Sequence, residues 1–437
     1  MNKKLKSVVL AILIGLIIPL ESISQSNLKA ILDKEAEAID SKLISWRRDF
    51  HQHPELGNQE IRTAGIVAEH LRKLGLDVKE NVAVTGVVGT LKGGLPGPTI
   101  ALRADMDALP VTERAELPFK SQVKTTYAGQ ETGVSHACGH DSHVAILMAT
   151  AEVLAKHKND LKGTIKFIFQ PAEEGVFGEG IRFGADLMVQ ESVLENPKVE
   201  AVFGLHIQSQ IPAGQIKYRA GSTMAAVDQF YIKVKGVQTH GAYPWSGIDP
   251  VTTASQIIMG LQTIVSRNVV LTENPAVISV GAVHGGIRHN IIPEEVELIG
   301  TIRTLSTEQR DLVHKRIKEV AENIALSAGA TAEVLIESGY PVTYNNPELT
   351  KKMLPSLEAA AGIENVHERQ VVMGAEDFSY FAREVPGLFF FLGGMSPDKK
   401  PEEVAPHHTP DFYLDESGFT LGVKAFCHLV IDYMNFD

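Results

Sequence analysis

The chain has 437 residues, of which 44% are hydrophobic and 22% charged, and a formal net charge of −12. This is enough chain for two domains, or for one large domain carrying an insertion. An acidic balance without a Lys/Arg-rich block argues against nucleic acid or anionic lipid as a partner. Two cysteines, Cys138 and Cys427, exclude a disulfide framework, although a single bridge stays open.

The N-terminus begins with Lys3, Lys4 and Lys6, followed by an apolar run over residues 8–20 and then Ser22-Ile23-Ser24. A basic start, a short apolar stretch and small residues make a secretory signal peptide, cleaved near Ser24 or Ser26. The run is short for a bilayer span, so an uncleaved anchor is the lesser alternative. Residues 1–25 are therefore set apart as a signal peptide. The rest is expected to be exported, to the periplasm or beyond, and free of the membrane once the signal is removed.

Residues 30–51 carry helical spacing, with Ile31, Ala36, Ile39, Leu43, Trp46 and Phe50 on one face. Residues 63–74 form a second helix that Gly75 ends. Residues 82–91, 99–103, 163–170 and 201–205 read as strands, with a buried Ala-rich helix over 144–155. Near-continuous apolar strands alternating with helices predict a mostly parallel sheet covered on both faces.

From about residue 222 the pattern changes. Strands at 227–236, 277–283, 295–303 and 331–336 enclose helices at 249–267 and 306–328, capped by Asp249 and Ser306. The order β-α-β-β-α-β is the ferredoxin-like motif. It is expected as a second domain, residues 222–338, inserted into a first made of 26–221 and 339–437. A helix near 347–361 returns the chain to the first sheet.

Ligands of mostly parallel sheets bind past the carboxyl ends of the strands. Asp105 and Asp107 follow the strand at 99–103, Glu173 and Glu174 follow 163–170, His206 follows 201–205, and Glu376 and Asp377 follow a short strand at 371–373. The segment His136-Ala137-Cys138-Gly139-His140-Asp141 puts a thiol, two imidazoles and a carboxylate on one loop before a helix. Such a loop suits a metal site, because it bends while the helix holds it. The plainer reading is a structural Cys beside chance histidines. Similarly, Glu173-Glu174 could be a solvated acidic turn, and a lone His206, or the His407-His408 pair, is more often structural than a ligand. Taken as chemistry, one glutamate would ligate a divalent cation while its neighbour moves the proton of an acidified water.

Together these segments resemble the M20 metallopeptidase family in its amidohydrolase branch, which includes hippurate hydrolases, N-acyl-amino-acid amidohydrolases and plant auxin-conjugate hydrolases. The likeness runs from Arg47-Arg48-Asp49-Phe50-His51 through Arg103-Ala104-Asp105-Met106-Asp107, the His/Cys loop, the Glu-Glu loop, Gly204-Leu205-His206, His240-Gly241-Ala242-Tyr243-Pro244, Asn290-Ile291-Ile292-Pro293 and Gly374-Ala375-Glu376-Asp377 to His408-Thr409-Pro410. It implies a zinc-exopeptidase-like three-layer αβα catalytic domain and an inserted dimerisation or lid domain, hence a homodimer. It implies two divalent metal ions held by Cys138, His140, Glu174, His206 and His408. It makes Glu173 the general acid/base, and Asp107 the residue that orients a ligand. His240 would reach a partner's site to steady an oxyanion, and Asn290 would recognise substrate. Such a mixed donor set admits zinc, nickel, cobalt or manganese. Ile207-Gln208-Ser209 departs from relatives, which often carry bulkier or Pro-containing residues there.

The expected activity is metal-dependent hydrolysis of the amide bond of a small N-acyl amino acid. A dipeptidase or carboxypeptidase using the same site is the alternative among hydrolases, and a non-catalytic metal-binding relative is the alternative outside them. The presence of Glu173 speaks against the last. No Gly-x-Ser-x-Gly elbow and no Gly-rich phosphate loop is present.

Overall fold

The computed structural model describes residues 25–176 and 183–436. The signal peptide read from the sequence lies outside them, apart from Gln25. Among the described residues no helix is long and apolar enough to cross a membrane.

Eight strands form one mixed sheet. Their spatial order is Asp77–Val82, Gly86–Lys92, Lys162–Gln170, Leu95–Asp105, Ala201–Pro212, Gly387–Met395, Ile216–Tyr218 and Val366–Glu368. Its middle is parallel: Leu95–Asp105 pairs with both Lys162–Gln170 and Ala201–Pro212, and the last of these pairs with Gly387–Met395. Successive side chains of a strand alternate between faces, and the core follows that alternation. Ile100, Leu102 and Ala104 pack with the helices Gln25–Ala38, Asp40–Gln52, Ile61–Lys73, His140–Lys156 and Phe419–Asn435, whereas Ala101 packs on the other side with Gly184–Gln190 and Phe378–Glu384. The result is a three-layer αβα unit.

Four local expectations change. Residues 30–51 are two helices, Gln25–Ala38 and Asp40–Gln52, interrupted at Ile39, and Asp40 places an acidic side chain in the new first turn, where the helix dipole favours it. Residues 82–91 are not one strand but the turn and second arm of an antiparallel hairpin, Asp77–Val82 with Gly86–Lys92. The short strand at 371–373 is only an isolated bridge between Val372 and Met224. Finally, the strand at 201–205 continues to Pro212, so His206 lies within it rather than after it. Its parallel pairing with Leu95–Asp105 nevertheless ends at Arg103 and Gly204. His206 therefore sits where two neighbouring strands part, which is where a crevice opens in such sheets.

A second, four-stranded antiparallel sheet has the order Val277–Gly285, Glu295–Thr304, Ala226–Lys235, Thr331–Ser338. Pro250–Asn268 and Thr307–Ser327 cover one face and enclose a separate hydrophobic cluster around Phe230, Ile257, Leu298 and Ile317. This is the ferredoxin-like arrangement. Asp249 caps the first of these helices through the N–H groups of Val251 and Thr252, and Ser306 caps the second through Gln309 N–H. The chain enters and leaves this unit side by side: Val227 N–H donates to Tyr340 C=O at 3.1 Å, and Gly339 N–H to Val227 C=O at 3.0 Å.

Candidate metal centre

The loop before the buried helix His140–Lys156 turns at Gly139, whose φ of 96° is left-handed; a Cβ there would meet Ile207 at 2.6 Å. This turn aims Cys138 and His140 at the crevice. Cys138 Sγ lies 3.3 Å from His206 Nε2 and 3.3 Å from His408 Nε2, and His408 Nε2 lies 3.0 Å from Glu174 Oε1. Donor atoms of Cys138, His140 and Glu174 all stand within 4.8 Å of one another. The structure thus gathers all five residues that the resemblance names as ligands. No bond joins the cysteines, which are both free and buried.

Three observations show that this cluster fits divalent cations. His140 Nδ1 faces two acceptors, the Asp107 carbonyl at 3.0 Å and its Oδ1 at 3.2 Å, so Nδ1 donates to Asp107 and Nε2 is the nitrogen left for a cation; buried, it has no hydrogen-bond partner. His206 is arranged in the same way, with Nδ1–H donating to Ile207 C=O at 2.5 Å and Nε2 turned to Cys138. His408 holds its ring in place from a left-handed backbone, φ 62°, a conformation uncommon outside glycine and concentrated at functional sites. Five donors of mixed softness exceed what one tetrahedral ion takes and suit two ions with open positions.

One neighbour is excluded by the same accounting. His143 lies beside Asp105 and His140, but its Nδ1–H donates to Asp105 at 2.5 Å and its Nε2 accepts from Ile207 N–H at 2.8 Å. Both nitrogens are used. His407 is not excluded in this way: its Nε2 accepts from Ser209 N–H at 3.2 Å, but its Nδ1 is buried without a hydrogen-bond partner and it stands close to Cys138 and His206. Of the pair, His408 is the one that reaches both Cys138 Sγ and Glu174 Oε1.

Asp107 joins two members of the cluster. Besides His140, it receives Glu174 N–H on Oδ2 at 2.8 Å. Glu173 is buried beside them. Its Oε1 accepts weakly from Asp377 N–H at 3.4 Å, its Oε2 lies 3.9 Å from His140 Nε2, and its carbonyl accepts the Tyr340 hydroxyl. Burial, reinforced by Glu376 and Glu174, pushes the Glu173 carboxyl well above the usual carboxylate range. Burial opposes an imidazolium at His140, but Asp105 and Asp107 outweigh it and carry that ring up to about 10. Burial, then Glu174 and Glu173, raise the Cys138 thiol well above its ordinary value, so ligation must displace its proton. We expect Cys138→Ala to lower bound metal per chain; unchanged stoichiometry by elemental analysis would remove Cys138 from the ligand set.

His240 and Asn290 stand apart. They meet each other on the ribbon Thr239–His240 with Ile291–Ile292, where Gly241 N–H donates to Asn290 C=O at 2.8 Å. His240 is exposed, and Asn290 Oδ1 is buried without a partner. Among the described residues, no hydrogen bond or ion pair connects either to the five-residue cluster.

Other contributors carry little signal of their own in the sequence. Glu60 accepts Ala172 N–H at 2.8 Å and Thr85 Oγ1 at 2.5 Å, which fixes the left-handed residue (φ 50°) before Glu173. Burial and Asp107 raise Glu60 to about 7. Arg103, wholly buried, donates to Gln170, Asp105, Glu376 and Asp377. On the far side of the His/Cys loop, His51 bridges Asp141 at 2.7 Å and Glu113 at 3.0 Å, and Arg47 pairs with Asp141 at 3.0 Å.

Comparison with known proteins agrees with this geometry. A carboxypeptidase named thermostable carboxypeptidase 2, from Saccharolobus solfataricus, is 41% identical over 406 residues, covering 92% of this chain and 98% of the relative. An N-acetylcysteine deacetylase of Bacillus subtilis is 38% identical over 398 residues, 90% of this chain and 97% of that one. The crystal structure of the Bacillus subtilis YXEP protein, described as a dinuclear metal binding peptidase, superposes with a TM-score of 0.74 at 35% identity, over 91% of this chain and 99% of that one. Residues 101–432 match the pattern of Peptidase family M20/M25/M40. The chain belongs to that family, and is a metal-dependent hydrolase of amide bonds.

Proposed function

We propose that the chain hydrolyses the amide bond of N-acyl amino acids, releasing a carboxylic acid and a free amino acid. The observation that carries this reading is the gathering of the donor atoms of Cys138, His140, Glu174, His206 and His408 in one crevice, with buried Glu173 alongside. These five residues would hold a pair of ions; zinc, manganese, nickel and cobalt all suit the donor set. When bound, such ions supply Lewis acidity and lower the pKa of water. Glu173 takes the proton of the attacking water and returns it to the leaving amine, a task its raised pKa suits. Asp107 keeps His140 and Glu174 in register.

The deacetylase relative supports an N-acyl substrate, and the carboxypeptidase relative favours a second reading, cleavage of a C-terminal residue from a peptide. A panel of hippurate-type and N-acetyl amino acids beside plain dipeptides decides between them. Turnover of the acylated series with little on dipeptides is expected; the reverse would establish the peptidase reading.

In this reading residues 222–338 form a dimerisation or lid domain, and His240 completes the site of a second copy, steadying the oxyanion, with Asn290 recognising substrate. Mixing His240→Ala with Glu173→Gln protein should then restore part of the activity lost in each, whereas no recovery would place His240 in its own subunit's site. The basic, then apolar N-terminus supports export, which cell fractionation would test.

A further inference from the structure

A cavity of about 200 Å³ opens beside Glu174, lined by Leu56, Ala108, Leu109, Thr126, Tyr127 and Val176 among others. Pockets that enclose a whole drug-sized ligand measure roughly 300–1,000 Å³, so this one holds one end of a substrate. The hairpin Lys124–Tyr127 with Gln130–Gly133 forms its outer wall. That hairpin turns at Ala128-Gly129, φ 52° and 78°, the left-handed pair that a tight two-residue turn demands. Its side chain Tyr127 packs on the cluster of Leu56, Ala108 and Val134. Ala108 directly follows Asp107, which orients His140, so the inner wall is continuous with the metal centre.

The chemistry of the lining is one-sided. Among the described residues that line it, none is Lys, Arg or His, and Glu174 is the single charged group. An N-acyl amino acid has one uncharged end and one end with a carboxylate on the carbon next to the scissile nitrogen. Seating the second end here would bury that carboxylate without a cation, which is costly. We propose that this cavity is the acyl-group subsite, selecting apolar acyl chains up to the size of a small ring, with half-buried Leu109 on its wall and exposed Thr126 at its rim. The inference rests on the amidohydrolase reading above.

The experiment uses the metal-loaded full chain and two substrate series, one varying the acyl group on glycine (acetyl, butyryl, benzoyl), the other varying the amino acid on a constant acetyl group. Thr126→Trp should lower the ratio of kcat/KM for benzoylglycine to that for acetylglycine by about tenfold or more, the scale on which apolar pockets discriminate. Leu109→Ala, at a half-buried position, should shift preference toward larger acyl groups and guards against a Trp variant that fails to fold. Titration calorimetry of both acylglycines into Glu173→Gln protein, with and without Thr126→Trp, should show the same selectivity as a difference in Kd. If the unaltered enzyme cleaves no member of either series, the amidohydrolase reading falls and the acyl assignment with it. If it cleaves both series but the variants affect acetyl and benzoyl alike, or their effect follows the amino-acid side chain, that reading stands and the subsite assignment is overturned.

Discussion

Replacing Glu173 by glutamine should lower kcat by about 10²–10⁴-fold, the usual contribution of a positioned acid/base group, while bound metal stays at its normal stoichiometry. The two readouts separate because Glu173 does not belong to the ligand cluster: its nearest imidazole nitrogen, His140 Nε2, is 3.9 Å away, whereas Glu174 approaches His408 to 3.0 Å. Glutamine keeps the shape and the ability to accept from Asp377 N–H, and loses only the capacity to take and return a proton. Glu174→Gln should behave in the opposite way, with metal content falling first. Full activity in Glu173→Gln would remove it from proton transfer; loss of metal in that variant would make it a ligand instead.

The largest effect on stability is expected at Arg103. Its guanidinium is wholly buried and donates to Gln170 and Asp105 at 2.7 Å and to Glu376 and Asp377 at 2.9 Å. One cation thus neutralises a group of carboxylates whose sequence positions span almost the whole catalytic unit. Removing one partner of a buried ionic set costs about 3–5 kcal/mol, because the charges left behind have neither water nor a counter-ion. Arg103→Met should destabilise the fold by about that amount in denaturant titration. The sign of its pH dependence also follows. Burial already raises Glu376 and Asp377 above the ordinary carboxylate range, and Arg103 works against that rise. Without Arg103 both pKa values climb further, so the deficit of the variant should shrink as pH falls and the orphaned carboxylates take up protons. A change within about 0.5 kcal/mol, typical of surface substitutions, would show that the network is dispensable. Lysine should not rescue fully, since an ammonium cannot reproduce a planar fork with several donors.

The residues of the candidate metal centre are legible because each lies in a short segment at a strand end or helix start, or in a Pro-containing loop, where residue type and position coincide. The alternation of strands and helices, and the change of pattern near residue 222, gave the two sheets. What stayed hidden depends on distant pairings. Nothing local announces that Arg103 meets Glu376, that Glu60 secures Ala172, or that the Tyr340 hydroxyl reaches the Glu173 carbonyl. The hairpin before residue 92 was missed for another reason: its turn contains Ala83 and Val84 at φ 51° and 82°. A β-branched residue in that region is a rarity, and the Asn and Gly signals stand only at the flanks of the turn, at Asn81 (φ 57°) and Gly86. Residues 371–373 failed in the opposite sense, with strand-like residue types but only one bridge to pair with. His407 and His408 are adjacent in sequence and both lie close to Cys138; the contact of His408 with Glu174 separates them.

The donors Cys138, His140, Glu174 and His206 all precede residue 220, but His408 does not, nor do Glu416, which holds Arg47 and Arg48, and the helix Phe419–Asn435, which seals one face of the sheet. A coordination sphere built from these five residues would therefore stay incomplete until residue 408 has been added to the growing polypeptide. On the proposed ligand set, loading of the cations would be a late event, and a product that stops before residue 408 would lack one of the five donors.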